Sequence, residues 1–379
     1  MNIVDHYLSC VAGEHINSYE ILTEDELSRI FYVLTRQEEI DNAIRNKWGN
    51  WRFSYTNEKY DEPYIDQFVI SILNGKGIQR KSIWPDNRKF ALWLTHDVDA
   101  VTHNSALLDY RLGSRRNQNS VKNRIRWILE TKENDPLWHF EDWLKVESQS
   151  GFKSTFFFFV APNHQNIWIR DCLYTPDDYI KYKGKKMKVK EMIKEVHSAG
   201  WEIGLHCSYN TFNNAELLRE QKAILEEIIS DEVNAVRQHY LHYDIIKTPK
   251  VQSEAGVKLD STQGFARTLG FRAGTCYPYL TYNHDHGDAL DTLEIPMIIM
   301  DDPLFNDDGL ELYGEYAVQK CIEFSNKVEN VGGILTVNFH ANHLIQKDWF
   351  GTYSKLLNYF ENVDSYGLTS SEILDSTVI

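Results

Sequence analysis

Beyond residue 88 the chain alternates short apolar runs with stretches of helical spacing. The run Phe90-Ala-Leu-Trp-Leu-Thr-His-Asp-Val-Asp99 has the length and composition of a buried strand, and it stops abruptly at two carboxylates one residue apart. Ser154-Thr-Phe-Phe-Phe158, Gly200-Trp-Glu-Ile-Gly-Leu-His206, Val233-Asn-Ala-Val-Arg-Gln-His-Tyr240 and Ile334-Leu-Thr-Val-Asn-Phe-His340 carry the same signature. Helices are predicted over residues 136–149, 188–199, 215–229 and 313–329. This succession predicts βα units, and therefore an α/β protein.

Residues 1–86 read differently. Thr23-Glu-Asp-Glu is an acidic helix start before an apolar run that reaches Leu34, and residues 63–73 have helical spacing. Gly75-Lys-Gly77 through Arg88 has the content of a connector. The chain is accordingly expected to divide into a small N-terminal accessory domain of mixed helix and strand, residues 1–86, and a larger catalytic part, residues 87–379.

Polar residues gather where the apolar runs end. Asp97 and Asp99 close one run, His206 another, Arg237, His239 and Tyr240 a third, and His340 a fourth, with His343 shortly after. In parallel α/β sheets and barrels the carboxyl ends of the strands open onto the site-bearing face. Taken alone, Asp97 and Asp99 fit an edge strand running into an acidic turn equally well, and a single histidine at a strand end is ordinarily a satisfied core or surface residue. Repetition at four strand ends points to a shared site. Carboxylate and neutral imidazole are ligands for a divalent metal such as zinc, whose catalytic sites typically have three protein ligands. An unligated carboxylate and a further histidine would then supply the general base and acid for amide or ester hydrolysis.

Thr95-His-Asp-Val-Asp99 resembles the Thr-Phe-Asp-Asp-Gly motif of the polysaccharide deacetylases of carbohydrate esterase family four, with the second aspartate displaced by one residue. Ser154-Thr-Phe-Phe-Phe158 is similar to that family's second strand, and His206 to the first histidine of its His-Ser/Thr-x-x-His motif. Arg237-Gln-His-Tyr240 is similar to its Arg-x-Pro-Tyr motif, and the run ending in His340 to its Leu-x-x-His motif. The resemblance implies a distorted or incomplete (β/α) barrel. It assigns Asp97 as catalytic base, Arg237 as the group holding that base, the Tyr240 backbone N–H as an oxyanion donor, His340 as general acid, and Asp99 and His206 as metal ligands.

Two departures from the family pattern matter. Asn210 stands where the second histidine ligand should be, and an amide oxygen is a weaker zinc ligand than imidazole. His239, which replaces the proline of the third motif, is the expected substitute ligand. The family's Asp-Trp element has no clear match; residues 270–279 occupy its place, which makes Arg272 the candidate for tuning His340, beside the plain reading of a surface arginine. Tyr209, Asn210, Arg272 and His343 are the expected substrate-side residues.

Charge, cysteines and hydropathy narrow the function classes. A formal net charge of −15 argues against a nucleic-acid binder, because phosphate neutralisation needs clustered positive charge. Basic clusters at residues 111–126 and 181–194 read as solvated faces, although the first follows the Asp97/Asp99 strand and would be placed to hold an anionic substrate. Five scattered cysteines without CxxC spacing predict free thiols in a reducing compartment, and Cys207 reads as a packing residue. No run approaches the roughly 18 apolar residues of a membrane helix, and the first residues lack the features of a secretory signal, so a cytoplasmic protein is expected. Tyr209, Tyr240, Tyr277 and Tyr279 lie near strand ends and offer rings for stacking on sugars.

The resemblance thus implies a metal-dependent hydrolase, with zinc the expected metal, that removes an N-acetyl group from an amino sugar in a surface polysaccharide or its precursor. Two alternatives use the same fold. One is a catalytically inactive glycan-binding protein, favoured by Asn210 and opposed by the retained acid, arginine and histidine set. The other is an amidohydrolase acting on a small molecule that is not a sugar.

Overall fold

The computed structural model describes residues 2–42, 44–45, 58–101, 140–168, 170–341 and 349–377. His343, the basic segment at 111–126 and the start of the helix expected over 136–149 lie outside the described residues.

The strands are β1 (Phe90–Val98), β2 (Thr155–Phe158), β3 (Tyr179–Tyr182), β4 (Lys185–Lys188), β5 (Glu202–Cys207), β6 (Ala235–Gln238), β7 (Leu259–Asp260), β8 (Tyr279–Asn283), β9 (Asp288–Glu294), β10 (Ile299–Met300), β11 (Ile334–Asn338) and β12 (Ser365–Gly367). Ten of them form one sheet in the order β10-β11-β1-β2-β5-β6-β7-β9-β8, with β12 joined to β1. Every pairing in it is parallel except β8 with β9. The two ends of the series do not pair among the described residues, which makes the sheet an incomplete (β/α) barrel. β3 and β4 form a separate hairpin that carries part of the basic run at 181–194, where Lys183, Lys188 and Lys190 pair with Glu195 and Asp177 at the surface.

β1 pairs with three strands of the sheet. β11 pairs with Ala91–Thr95 on one edge, while the other edge is shared by β12 at Phe90–Leu92 and β2 at Thr95–Val98. Parallel strands covered on both faces read as continuous apolar runs, and β1, β2 and β11 are buried along their whole lengths. Helices Phe140–Ser150, Val189–Ser198, Ala215–Ile229, Gly314–Val331 and Trp349–Phe360 place Trp143, Met192, Leu225, Phe324 and Tyr353 in the same apolar cluster as Leu92, Leu94 and Val337.

The described residues ahead of β1 form helices Ile3–Ala12, Ser18–Ile21, Glu24–Leu34, Gln37–Asp41 and Tyr64–Gly75, with no strand longer than a single bridge residue, so the strand content expected of residues 1–86 is not found among those described. The acidic start at Thr23 is a capping box with Glu26. These helices share a second apolar cluster with the sheet, in which Tyr7, Leu8, Val69 and Leu73 meet Trp93, Phe157, Tyr279 and Ile334. Two buried carboxylates are satisfied across the same contact. Asp66 accepts from Tyr7, Thr275 and the Cys276 N–H, and Glu39 sits between Arg36 and Arg272 with N–O distances of 3.0 Å to each. Buried carboxylates persist only when hydrogen-bonded, as Asp66 is, or ion-paired, as Glu39 is. No helix among the described residues is long and apolar enough to cross a membrane.

Candidate active site

The carboxyl ends of β1, β5, β6 and β11 converge on one point. Arg237 is fully buried and donates from Nη1 to Asp97 Oδ1 at 2.8 Å, to Thr95 Oγ1 at 2.9 Å and to Asn338 Oδ1 at 3.0 Å. Its Nε and Nη2 are held by the Ser261 carbonyl and hydroxyl at 2.9 and 3.0 Å. The guanidinium lies 4.3 Å over the Phe157 ring, and Gly204 makes room for that ring, since a Cβ there would lie 2.6 Å from Phe157 Cδ1. Asn338 Nδ2 donates to the second Asp97 oxygen at 3.0 Å. Burial alone would raise the Asp97 carboxyl, but Arg237, His206 and His340 outweigh it and hold the group below its ordinary value. Asp97 is therefore ionised at neutral pH and fixed at both oxygens.

Asp99, two residues on, faces three imidazoles. His206 Nε2 lies 3.1 Å and His239 Nε2 3.6 Å from Asp99 Oδ1, and His340 Nε2 lies 3.7 Å from Oδ2. Against the opposing effect of burial, the contact with His206 and the charge of His340 keep Asp99 well below the usual carboxylate range. His206 Nδ1 is 3.1 Å from the Arg237 carbonyl, which can only accept, so Nδ1 carries the proton. In the neutral ring Nε2 then presents a lone pair to an ionised carboxylate at 3.1 Å. Two acceptors at that distance require a cation or a proton between them. Burial pushes His239 down to about 4, ahead of the opposing Asp99 charge, leaving it neutral and able to donate a lone pair at neutral pH. The donor set fits a divalent cation, and Cys172 Sγ joins the same group, with all four ligand atoms within 4.8 Å of one another.

His340 is arranged for the opposite task. Asp301 grips it twice, accepting from Nδ1 at 2.6 Å and from the backbone N–H at 2.7 Å. Burial works against the imidazolium, yet Asp301, Asp302 and Asp99 raise His340 well above its ordinary value. Its Nε2 therefore holds a proton, 3.9 Å from Asp97 Oδ2. Replacing Asp301 with asparagine removes the anion that stabilises this proton. The expected result is a turnover lower by about 10–100-fold and an alkaline limb of the pH–rate profile displaced to lower pH, because His340 then loses its proton sooner. An unmoved limb in Asp301→Asn would show that His340 is not protonated through Asp301.

The remaining sequence candidates are spread more widely. Tyr240 has φ of 58° in a turn that leaves its ring 39% exposed beside His239. Tyr209 is buried and stacks on His242 at 4.0 Å, with its hydroxyl accepting from Arg170 at 2.7 Å. Asn210 precedes the 3-10 turn Thr211–Asn213 and makes no side-chain cap there. Arg272 is not beside His340: it is buried against Glu39 and the Gly264 carbonyl, a salt bridge to the N-terminal helices that its position in the sequence does not reveal. Tyr277 and Tyr279 are buried in the apolar cluster under those helices. Asn338, Asp301 and Cys172 were not singled out by sequence, although Asn338 lies inside the run that ends in His340.

An open parallel barrel with acids and imidazoles at the carboxyl ends of its strands has the polysaccharide deacetylase fold. No protein-family model matches the sequence, and no curated protein sequence matches it significantly. Solved structures do match. A protein from Mycobacterium smegmatis assigned as a polysaccharide deacetylase aligns with a TM-score of 0.52 at 18% identity, over 77% of this chain and 91% of that one. A polysaccharide deacetylase assignment from Pseudomonas aeruginosa PAO1 gives 0.51 at 14% identity, over 80% and 96%. PuuE allantoinase gives 0.51 at 15% identity, over 80% and 95%. At these identities the likeness is one of fold, and the chemistry rests on the residues above.

Proposed function

We propose that this chain hydrolyses the N-acetyl group of an amino sugar in a surface polysaccharide or its precursor, releasing acetate. The observation that carries the reading is the Asp97 carboxylate and the His340 imidazole, 3.9 Å apart beside the Asp99–His206–His239 group. A divalent cation, zinc by its donor set, would be held by Asp99, His206 and His239 and would polarise the acetyl carbonyl as a Lewis acid. Asp97 takes a proton from the attacking water while Arg237 and Asn338 keep its carboxylate in place. The Tyr240 backbone N–H is assigned to the developing oxyanion. His340 Nε2–H passes its proton to the amine nitrogen as the C–N bond breaks, and Asp301 stabilises the imidazolium until then.

Residues 1–86 are read as an accessory part bracing the barrel of residues 87–379 through Glu39 and Asp66. Five buried free thiols accord with a reducing compartment, and so with the cytoplasm. The shared fold with an allantoinase supports a second reading, hydrolysis of a small amide that is not a sugar.

Acetate release from a panel of N-acetylated amino-sugar oligomers, run beside disappearance of the intact substrate for small non-sugar amides including a ring ureide, separates these readings. The zinc-loaded full chain is expected to release acetate from the sugars. Turnover confined to the non-sugar amides would transfer the assignment to the second reading, and no turnover of either class would defeat both.

A further inference from the structure

We infer that Cys172 is a fourth protein ligand of the cation, a thiolate donor added to Asp99, His206 and His239; the inference rests on the cation site proposed above. Cys172 is 2% exposed, and its Sγ lies 3.9 Å from Asp99 Oδ1 and 4.0 Å from His239 Nε2. Ligands bonded to one ion at about 2.0–2.3 Å stand about 3.3–3.7 Å from each other at tetrahedral angles, and a fifth position, which zinc takes up when it expands its coordination, would receive the acetyl carbonyl. The separations recorded between these donors, 3.1, 3.6, 3.9 and 4.0 Å, bracket that span.

The chain on either side of Cys172 is clamped to the strands that carry the other donors. Asp171 accepts from Ser208 Oγ at 2.8 Å and the Tyr209 N–H at 2.7 Å, which ties this loop to the turn after β5. The Tyr174 hydroxyl donates to the Val98 carbonyl at 2.8 Å and accepts from the Phe159 N–H at 2.9 Å, which ties it to the ends of β1 and β2. Cys172 is thus held between β1, which leads to Asp99, and β5, which ends beside His206. Preorganisation of this kind is what a metal donor requires. The other four cysteines lie outside the cluster.

A thiolate changes what the site accepts. Soft sulfur favours zinc over magnesium or manganese, which prefer all-oxygen surroundings. Cobalt(II) reports its donors directly, because thiolate coordination produces a near-ultraviolet charge-transfer band that imidazole and carboxylate do not. Cobalt titrated into the metal-free full chain is expected to give that band in the wild type and in Cys321→Ser, and to lose it in Cys172→Ser. The visible bands of bound cobalt should persist in Cys172→Ser, with affinity lower by about 10-fold or more through loss of one ligand. Cobalt bound by the wild type without the charge-transfer band would overturn the inference and leave the Asp99–His206–His239 site standing. Absence of cobalt binding in the wild type would overturn both. Should Cys172→Ser not fold, the wild-type band itself decides, since no other cysteine belongs to the cluster.

Discussion

Asp97→Asn is expected to lower acetate release by about 10²–10⁴-fold while the protein keeps its zinc, the span that loss of a positioned general base typically produces. The substitution preserves shape and removes only the charge that accepts the proton. Zinc should stay because Asp97 is not among the clustered donors, whereas Asp99→Asn should lose it. Arg237 then keeps a buried positive charge opposite a neutral amide, so the variant should also melt earlier; removing one partner of a buried pair costs about 3–5 kcal/mol. Zinc content and melting temperature read beside turnover separate the two effects. Turnover equal to wild type at equal zinc loading would remove Asp97 from its role, whatever happened to stability.

The second large effect is on stability. Glu39 is buried between Arg36 and Arg272, and although burial alone would raise its carboxyl, the two guanidinium groups bring it from 4.5 down to about 2. A carboxyl depressed on folding contributes stability that is complete above its unfolded value and is lost as pH falls through the folded one. The Glu39 contribution should therefore be full at pH 7, begin to fade near pH 4.5 and be gone below about 2. Glu39→Gln is expected to lose about 3–5 kcal/mol at neutral pH, because both arginines stay buried and unneutralised. Urea unfolding of the variant and the wild type at pH 7 and at pH 3 checks the sign: the gap should narrow at the lower pH, and a gap that widened would contradict the ion triad.

The sheet was legible because strand ends are local events. A run such as Phe90–Val98 announces both its burial and the residues it delivers, and Asp97, Asp99, His206, Arg237, His239 and His340 are brought together by parallel pairing alone. The groups that orient them were not legible, since each acts across a long sequence separation. Asp301 reaches His340 from a short helix after β10, and Cys172 reaches Asp99 from a loop that carries no motif. Arg272 shows the same limit from the other side: its partner Glu39 is 233 residues away, and nothing near Arg272 in the chain reveals that it faces the N-terminal helices instead of His340. The helical segment itself was visible from the Thr23 capping box, while its docking partners were not.

That separation of 233 residues also sets a clock during synthesis. The helices Ile3–Ala12 and Tyr64–Gly75 leave the ribosome well before the sheet is complete, with Tyr7 and Leu73 destined for a cluster whose other half, β8 and β11, has not yet been made. At about 5–20 residues per second, the interval between emergence of Glu39 and emergence of Arg272 is roughly 10–50 s. Through that interval the apolar face and the carboxylates of the N-terminal helices wait in solvent without their partners. The nascent chain is most exposed to misassociation in this window, and the last third of the sequence ends it.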